Sequence, residues 1–257
     1  MITNYYDGKS LNFLKNSNLN EEQIKFASAC VIQSLIYLRK EKIIHRDVMM
    51  QNIIMDKDRY FNLIDFSFAI NYSEKDNKNK YLYTYKMVTP PEMEKILTYD
   101  YNSDYYRLGS VIYYLIFKKY PFMIRLEKNI TDIVVKYEDA KNFSVSCIDF
   151  LNQLIISDPK KRIGYKDINE LKDHPWFNGF NWEGLEKRQI ESPFKLIEND
   201  FDQSLCIRVD IISVQFLLRY KQHSKKRHYK KLVRYFDYTN PLIIKKILYL
   251  NKNSNIP

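Results

Sequence analysis

Asp47, Asn52 and Asp65 are the residues in this chain best suited to chemistry. Asp47 and Asn52 lie five residues apart, and Asp65 follows thirteen residues later. Two carboxylates and a carboxamide are hard oxygen donors of the kind that hold a hard divalent cation, and a carboxylate beside such a site can orient a hydroxyl. Acting together requires that the chain fold back on itself. The intervening residues have that pattern: the apolar runs Asn52-Ile-Ile-Met55 and Phe61-Asn-Leu-Ile64 flank the polar turn Asp56-Lys-Asp-Arg59. This is a β-hairpin signal, and the hairpin brings Asp47, Asn52 and Asp65 to one place.

The elements that must hold the hairpin read as helices. Ile24, Ala27, Val31, Leu35 and Leu38 recur at the spacing of one helix face across Glu21–Lys40, with Glu21 and Glu22 in the first turn. Further helices are expected at about Asp104–Phe117, Cys147–Ile156 and Ile168–Lys172. The fold class is therefore mainly α with a small β-hairpin. At 257 residues and 45% hydrophobic, the chain can bury one core, or one core and an appendage. Three scattered cysteines make no disulfide framework, and no apolar run reaches membrane-spanning length, so a reduced, cytoplasmic setting is expected. Charge divides the chain. Residues 207–257 hold 12 Lys and Arg against Asp210 and Asp237, so the whole net charge of +10 sits there. With Val209, Ile212, Phe216 and Tyr220 at helical spacing, this tail reads as a basic helix. It suits polyanions such as RNA, an anionic membrane or an acidic partner, or it is a solvated extension.

Resemblance to a known family adds roles. His45-Arg46-Asp47-Val-Met-Met-Gln-Asn52 matches the protein-kinase catalytic loop H-R-D-x-x-x-x-N, and Asp65-Phe66-Ser67 stands at the D-F-G position. Pro90-Pro91-Glu92 stands at A-P-E, followed by Ser103-Asp104-Tyr-Tyr-Arg-Leu108-Gly109 and Asp158-Pro-Lys-Lys-Arg162. His174-Pro-Trp-Phe and the closing Ser192-Pro193-Phe194 resemble the cyclic-nucleotide-dependent serine/threonine kinases, the cGMP-dependent branch most closely. The resemblance runs from Tyr6 to Phe194. It implies the larger, C-terminal kinase lobe over 1–194, with the basic tail over 195–257. It also implies a catalytic set of Asp47, Arg46 and Asn52, with Asp47 as base, and Asn52 and Asp65 as the ligands of Mg2+ carrying ATP. Glu92 and Arg162 become a structural ion pair, and His45, Phe66, Trp176 and Trp182 packing residues.

Departures from the pattern qualify that reading. The five glycines, Gly8, Gly109, Gly164, Gly179 and Gly184, include no G-x-G pair, so these residues hold no glycine-rich phosphate loop and no small lobe. Met49 stands where resembling kinases carry a lysine, Ser67 replaces the D-F-G glycine, and Thr84-Tyr-Lys-Met87 replaces G-T-P-E. Tyr81 takes the activation-loop phosphosite, and Lys9 or Ser10 the ribose-contacting acid. The expectation is a serine/threonine kinase-like domain impaired on its own. The alternative is a non-catalytic pseudokinase that acts as an interaction or scaffold module. Either form leaves the hairpin, Ile54 and Phe66 bare for a protein substrate or partner chain.

Overall fold

The computed structural model describes residues 8–72, 88–95, 99–128 and 132–195. The basic tail beyond 195, Tyr5-Tyr6, Tyr81 and positions 84–87 lie outside them.

The first long helix, α1 (Glu21–Lys40), begins at a reciprocal cap. The Asn20 side chain accepts from the Gln23 backbone N–H, and the Gln23 side chain accepts in return from the N–H of Asn20. Its apolar face is wider than the periodic residues imply. Phe26, Ala29, Cys30 and Ile32 are buried along with Ile24, Ala27, Val31, Leu35 and Leu38, so the helix runs through the core. The chain then forms β1 (Ile43–Ile44), β2 (Ile53–Met55), β3 (Phe61–Leu63) and β4 (Ile70–Asn71). Strands β2 and β3 pair antiparallel in the expected hairpin, with Ile53 opposite Leu63 and Met55 opposite Phe61. A second antiparallel pair, β1 with β4, closes the ends of the segment that contains the hairpin.

After α2 (Pro91–Lys95) comes α3 (Tyr101–Phe117), buried at nearly every position from Asn102 to Tyr113. It starts three residues before the expected Asp104 because Asp100 caps it, in a reciprocal box with Ser103. Helix α4 (Pro121–Lys128) follows, then α5 (Val145–Leu154), α6 (Glu170–Asp173) and α7 (Trp182–Glu186). Helices α3 and α5 approach so closely that a Cβ on Gly109 would lie 2.8 Å from Ile155 Cγ2 and from Leu154 Cβ. Glu21 clamps α1 to α5: its carboxylate accepts from Ser144 N, Ser144 Oγ and Trp176 Nε1. Trp176 in turn stacks with Phe150 and Phe177. No helix among the described residues is long and apolar enough to cross a membrane.

The hairpin is held at both ends. At its turn, Asp56 accepts from Arg188 Nη1 (2.7 Å), from Asn62 and from the Tyr60 N–H. Phe194 packs edge-on against Phe61, and Arg59 donates to the Phe194 carbonyl. On the other side, Ser10 forms a bridge with Ile54, and Met55 N donates to the Lys9 carbonyl. A Cβ on Gly8 would overlap the Met55 carbonyl oxygen at 1.7 Å, so only glycine fits this crossing. The expected bare patch is therefore not formed by its two named residues. Ile54 is half-buried at the strand crossing, and Phe66 is half-buried, packed edge-on against His45 with ring centres 4.9 Å apart.

Candidate active site

The loop from His45 to Asn52 runs from β1 into β2 and is pinned to α3 by one buried carboxylate. Asp104 Oδ2 accepts from the His45 N–H at 2.8 Å and its Oδ1 from the Arg46 N–H at 2.9 Å. Burial pushes the Asp104 carboxyl up to about 6, although these two hydrogen bonds and the nearby arginines oppose the shift. His45 bridges in the opposite direction. Its Nε2 lies 3.0 Å from the Ile64 carbonyl, and its Nδ1 accepts from the Asp47 N–H at 3.2 Å. Burial lowers its pKa to about 4, so the ring is neutral, with the proton on Nε2.

Asn52 closes the loop on itself. Its Nδ2 donates to the Asp47 carbonyl at 2.9 Å and to Asp47 Oδ2 at 2.6 Å. The Asn52 carbonyl accepts from the Ile64 N–H, one residue before Asp65. The hairpin thus delivers Asp65 beside the loop, as the spacing requires. Asp65 has a left-handed backbone (φ 64) and is exposed, and its Oδ1 accepts from the Ser67 N–H at 3.1 Å. Asp47 is buried, and that burial raises its carboxyl above the ordinary range. Arg107 and the Asn52 hydrogen bond pull it down, while Asp65 adds a smaller push upward. Arg46 also has a left-handed backbone (φ 67). Its Nε donates to the Phe68 carbonyl at 2.6 Å and its guanidinium lies over the Tyr99 ring. It ties the catalytic-type loop to the segment that follows Asp65.

A pinned loop, a carboxylate held by a carboxamide five residues on, and a second acid delivered by a hairpin form a recognisable site. Residues 1–177 match the family described as "Protein kinase domain". The chain belongs to the protein kinase family. The cGMP-dependent protein kinase 2 of Rattus norvegicus is 32% identical over 186 residues, covering 69% of this chain and 24% of that protein. The Homo sapiens protein of the same name is 31% identical with the same coverage. The rhodopsin kinase of Homo sapiens is 30% identical over 190 residues, covering 70% of this chain and 33% of that protein. The match thus spans no more than about a third of the length of the curated relatives, and the chain is cGMP-kinase-like in sequence.

Within this kinase domain, Arg162 and Glu92 meet as a bidentate pair, Nη1 to Oε1 at 2.7 Å and Nη2 to Oε2 at 2.9 Å. The same guanidinium donates to the carbonyls of Ile156 and Asn102 and lies over Tyr106. In the site itself, the oxygen donors fit magnesium in kind. Asn52 makes its hydrogen bonds through Nδ2, which leaves Oδ1 outside them. Asp65 uses Oδ1 for its turn, which leaves Oδ2. Two such oxygens, one exposed to solvent, suit an ion that keeps several waters. Two residues of the site were not read as such from the sequence, Asp104 and Arg107. Their signal was two charges, three residues apart, inside an otherwise uncharged helix.

Proposed function

We propose that this chain is the large lobe of a serine/threonine protein kinase-type phosphotransfer domain acting on protein hydroxyls. The observation that carries the proposal is the Asn52 carboxamide. It fixes Asp47 through both its carbonyl and its carboxylate, while the hairpin sets Asp65 alongside. In this reading, Asp47 orients the substrate hydroxyl and accepts its proton. Asn52 Oδ1 and Asp65 Oδ2 hold the magnesium that accompanies ATP. When bound, that ion neutralises charge on the phosphates. Arg46 keeps the loop and the Asp65 segment in register through the Phe68 carbonyl.

The departures at Met49 and Ser67, and the lack of a glycine-rich loop among the 257 residues, support weak turnover by this chain alone. Losing one positioned donor costs about 10²–10³ in rate. A phosphate clamp from outside these residues is needed for efficient catalysis. A pseudokinase reading has one specific observation in its favour: the Asp65 carboxylate already caps the Phe66–Phe68 turn. In either case we propose a protein partner on the hairpin side and a basic tail that engages polyanions or anionic membrane. Titration with MgATP by calorimetry tests the phosphotransfer reading. The expected result is binding in the millimolar range or weaker that Asp65→Asn reduces further, with slow transfer of labelled phosphate to Ser/Thr peptides that Asp47→Asn abolishes. Binding and transfer unaffected by both substitutions would overturn it.

A further inference from the structure

Arg107 is among the largest fully buried side chains, 0% exposed, and its Nε, Nη1 and Nη2 all lack a hydrogen-bond partner. A guanidinium in that position is costly unless an anion compensates it. Arg107 lies three residues after Asp104 on α3, so both side chains project from the same face towards the loop. Asp104 feels the same charge, but its oxygens each accept a backbone N–H of that loop and form no ion pair with the guanidinium. The carboxylate oxygen within ion-pair distance is Asp47 Oδ1, 4.0 Å from Arg107 Nη1. That oxygen faces the core, while Oδ2 is taken by Asn52. Arg107 is fully buried and Asp47 nearly so, which weakens the screening between them.

We propose that Arg107 is the internal counter-ion of Asp47 and its positioning residue, fixing the direction of the carboxylate from beneath the loop. The pair stands on its own geometry; only the description of Asp47 as the base rests on the phosphotransfer reading. A separation of 4.0 Å is longer than a charge-assisted hydrogen bond of about 2.8 Å. The pair therefore acts by charge across a narrow gap, and three unmet donors remain to draw the carboxylate inward. Asp104 holds the backbone of the loop and Arg107 holds the side chain of its central residue, so one face of one helix sets both.

The test is a double-mutant cycle in the full 257-residue chain, read by thermal unfolding and by amide hydrogen exchange. In the native background, Asp47→Asn strands the guanidinium and should lower the unfolding midpoint by on the order of 5–10 °C. In an Arg107→Met background the same substitution should cost little. Arg107→Met should speed exchange across residues 45–52 by about tenfold and leave α1 unchanged, whereas Arg107→Lys should restore protection. Equal effects of Asp47→Asn in both backgrounds, or uniform loss of protection across the lobe, would overturn the proposal. If Arg107→Met does not fold, Asp47→Asn alone decides. An unchanged or raised midpoint would show that Arg107 is not compensated by Asp47. Neither outcome depends on kinase activity, so failure of the pair and failure of the phosphotransfer reading can be told apart.

Discussion

Two buried arginines in this kinase domain are treated in opposite ways. Arg162 is 1% exposed, and its donors go to both Glu92 oxygens and to the carbonyls of Ile156 and Asn102. Arg107 is equally buried and makes no hydrogen bond; its ion-pair oxygen is 4.0 Å away. The first site is closed, and its geometry leaves one arrangement open to it. The second carries unmet polar capacity next to Asp47 and Asn52. A saturated buried network specifies a fold, whereas an incomplete one marks where the chain departs from the best packing to serve a site. The same division runs through the carboxylates. Glu21 would be raised by burial, yet hydrogen bonds from Ser144 and Trp176 hold it below its ordinary range, while Asp104 beneath the loop and Asp47 within it are both raised.

The largest effect should come from breaking the closed site. Glu92→Lys leaves the buried Arg162 facing a like charge, and should cost about 3–5 kcal/mol in denaturant unfolding. Exchanging both residues, Glu92→Lys with Arg162→Glu, should recover only part of that, because the carbonyls of Ile156 and Asn102 lose their donor. A loss below 1 kcal/mol for the single variant would mean that Arg162 is held by the carbonyls alone. The contrast with Arg107 would then disappear.

The next effect sharpens the contrast through pH. His45 lies at about 4 in the fold against 6.5 when unfolded, chiefly because it is buried. Its folded pKa is depressed, so the unfolded state binds the extra proton, and stability present above pH 6.5 is lost as pH falls towards 4. Asp104 acts in the opposite sense. Raised by burial to about 6 from 3.8, it contributes stability that is present below 3.8 and lost as pH rises through 6. The two oppose each other across one window, a few ångströms apart. His45→Gln removes the first contribution. The stability difference between the native chain and this variant should therefore shrink by on the order of 3 kcal/mol between pH 6.5 and 4. A difference that does not change with pH would show that His45 is not buried as a neutral base.

What could be read from the sequence follows the same line. The β2–β3 hairpin was legible because two apolar runs and a polar turn are local, and the loop-to-Asp65 order because a motif fixes spacing along the chain. The β1–β4 pair was not, since two-residue strands separated by 25 residues carry no periodic signal. Asp104 was read only as the start of the helix, when the cap is Asp100 and Asp104 reaches backbone N–H groups 58 and 59 residues away. Side-chain bonds to distant backbone leave no pattern in sequence. The patch expected at Ile54 and Phe66 failed for a related reason. Covering them takes a Gly8–Ser10 crossing and the His45 ring, neither of which hydrophobic spacing announces.

The smallest effect on stability should come from Asp65, the acid most exposed in the site. Its carboxylate accepts one backbone N–H, from Ser67, at a residue whose φ is 64. Asparagine tolerates a left-handed backbone nearly as well as aspartate and can accept the same hydrogen bond. Asp65→Asn should therefore change unfolding stability by less than about 0.5 kcal/mol, as surface substitutions do. It also removes the charge that presses on Asp47, so the Asp47 carboxyl should fall towards its ordinary range. Magnesium-dependent nucleotide binding should weaken, because one charged oxygen ligand has become neutral. Unfolding midpoints and magnesium titrations on one variant thus separate two roles. If stability falls by several kcal/mol, Asp65 belongs with Glu92 as a fold-specifying charge. If only the titration changes, the outer acid contributes to the chemistry and almost nothing to the fold, and the buried charges beneath the loop carry the cost of holding it in place.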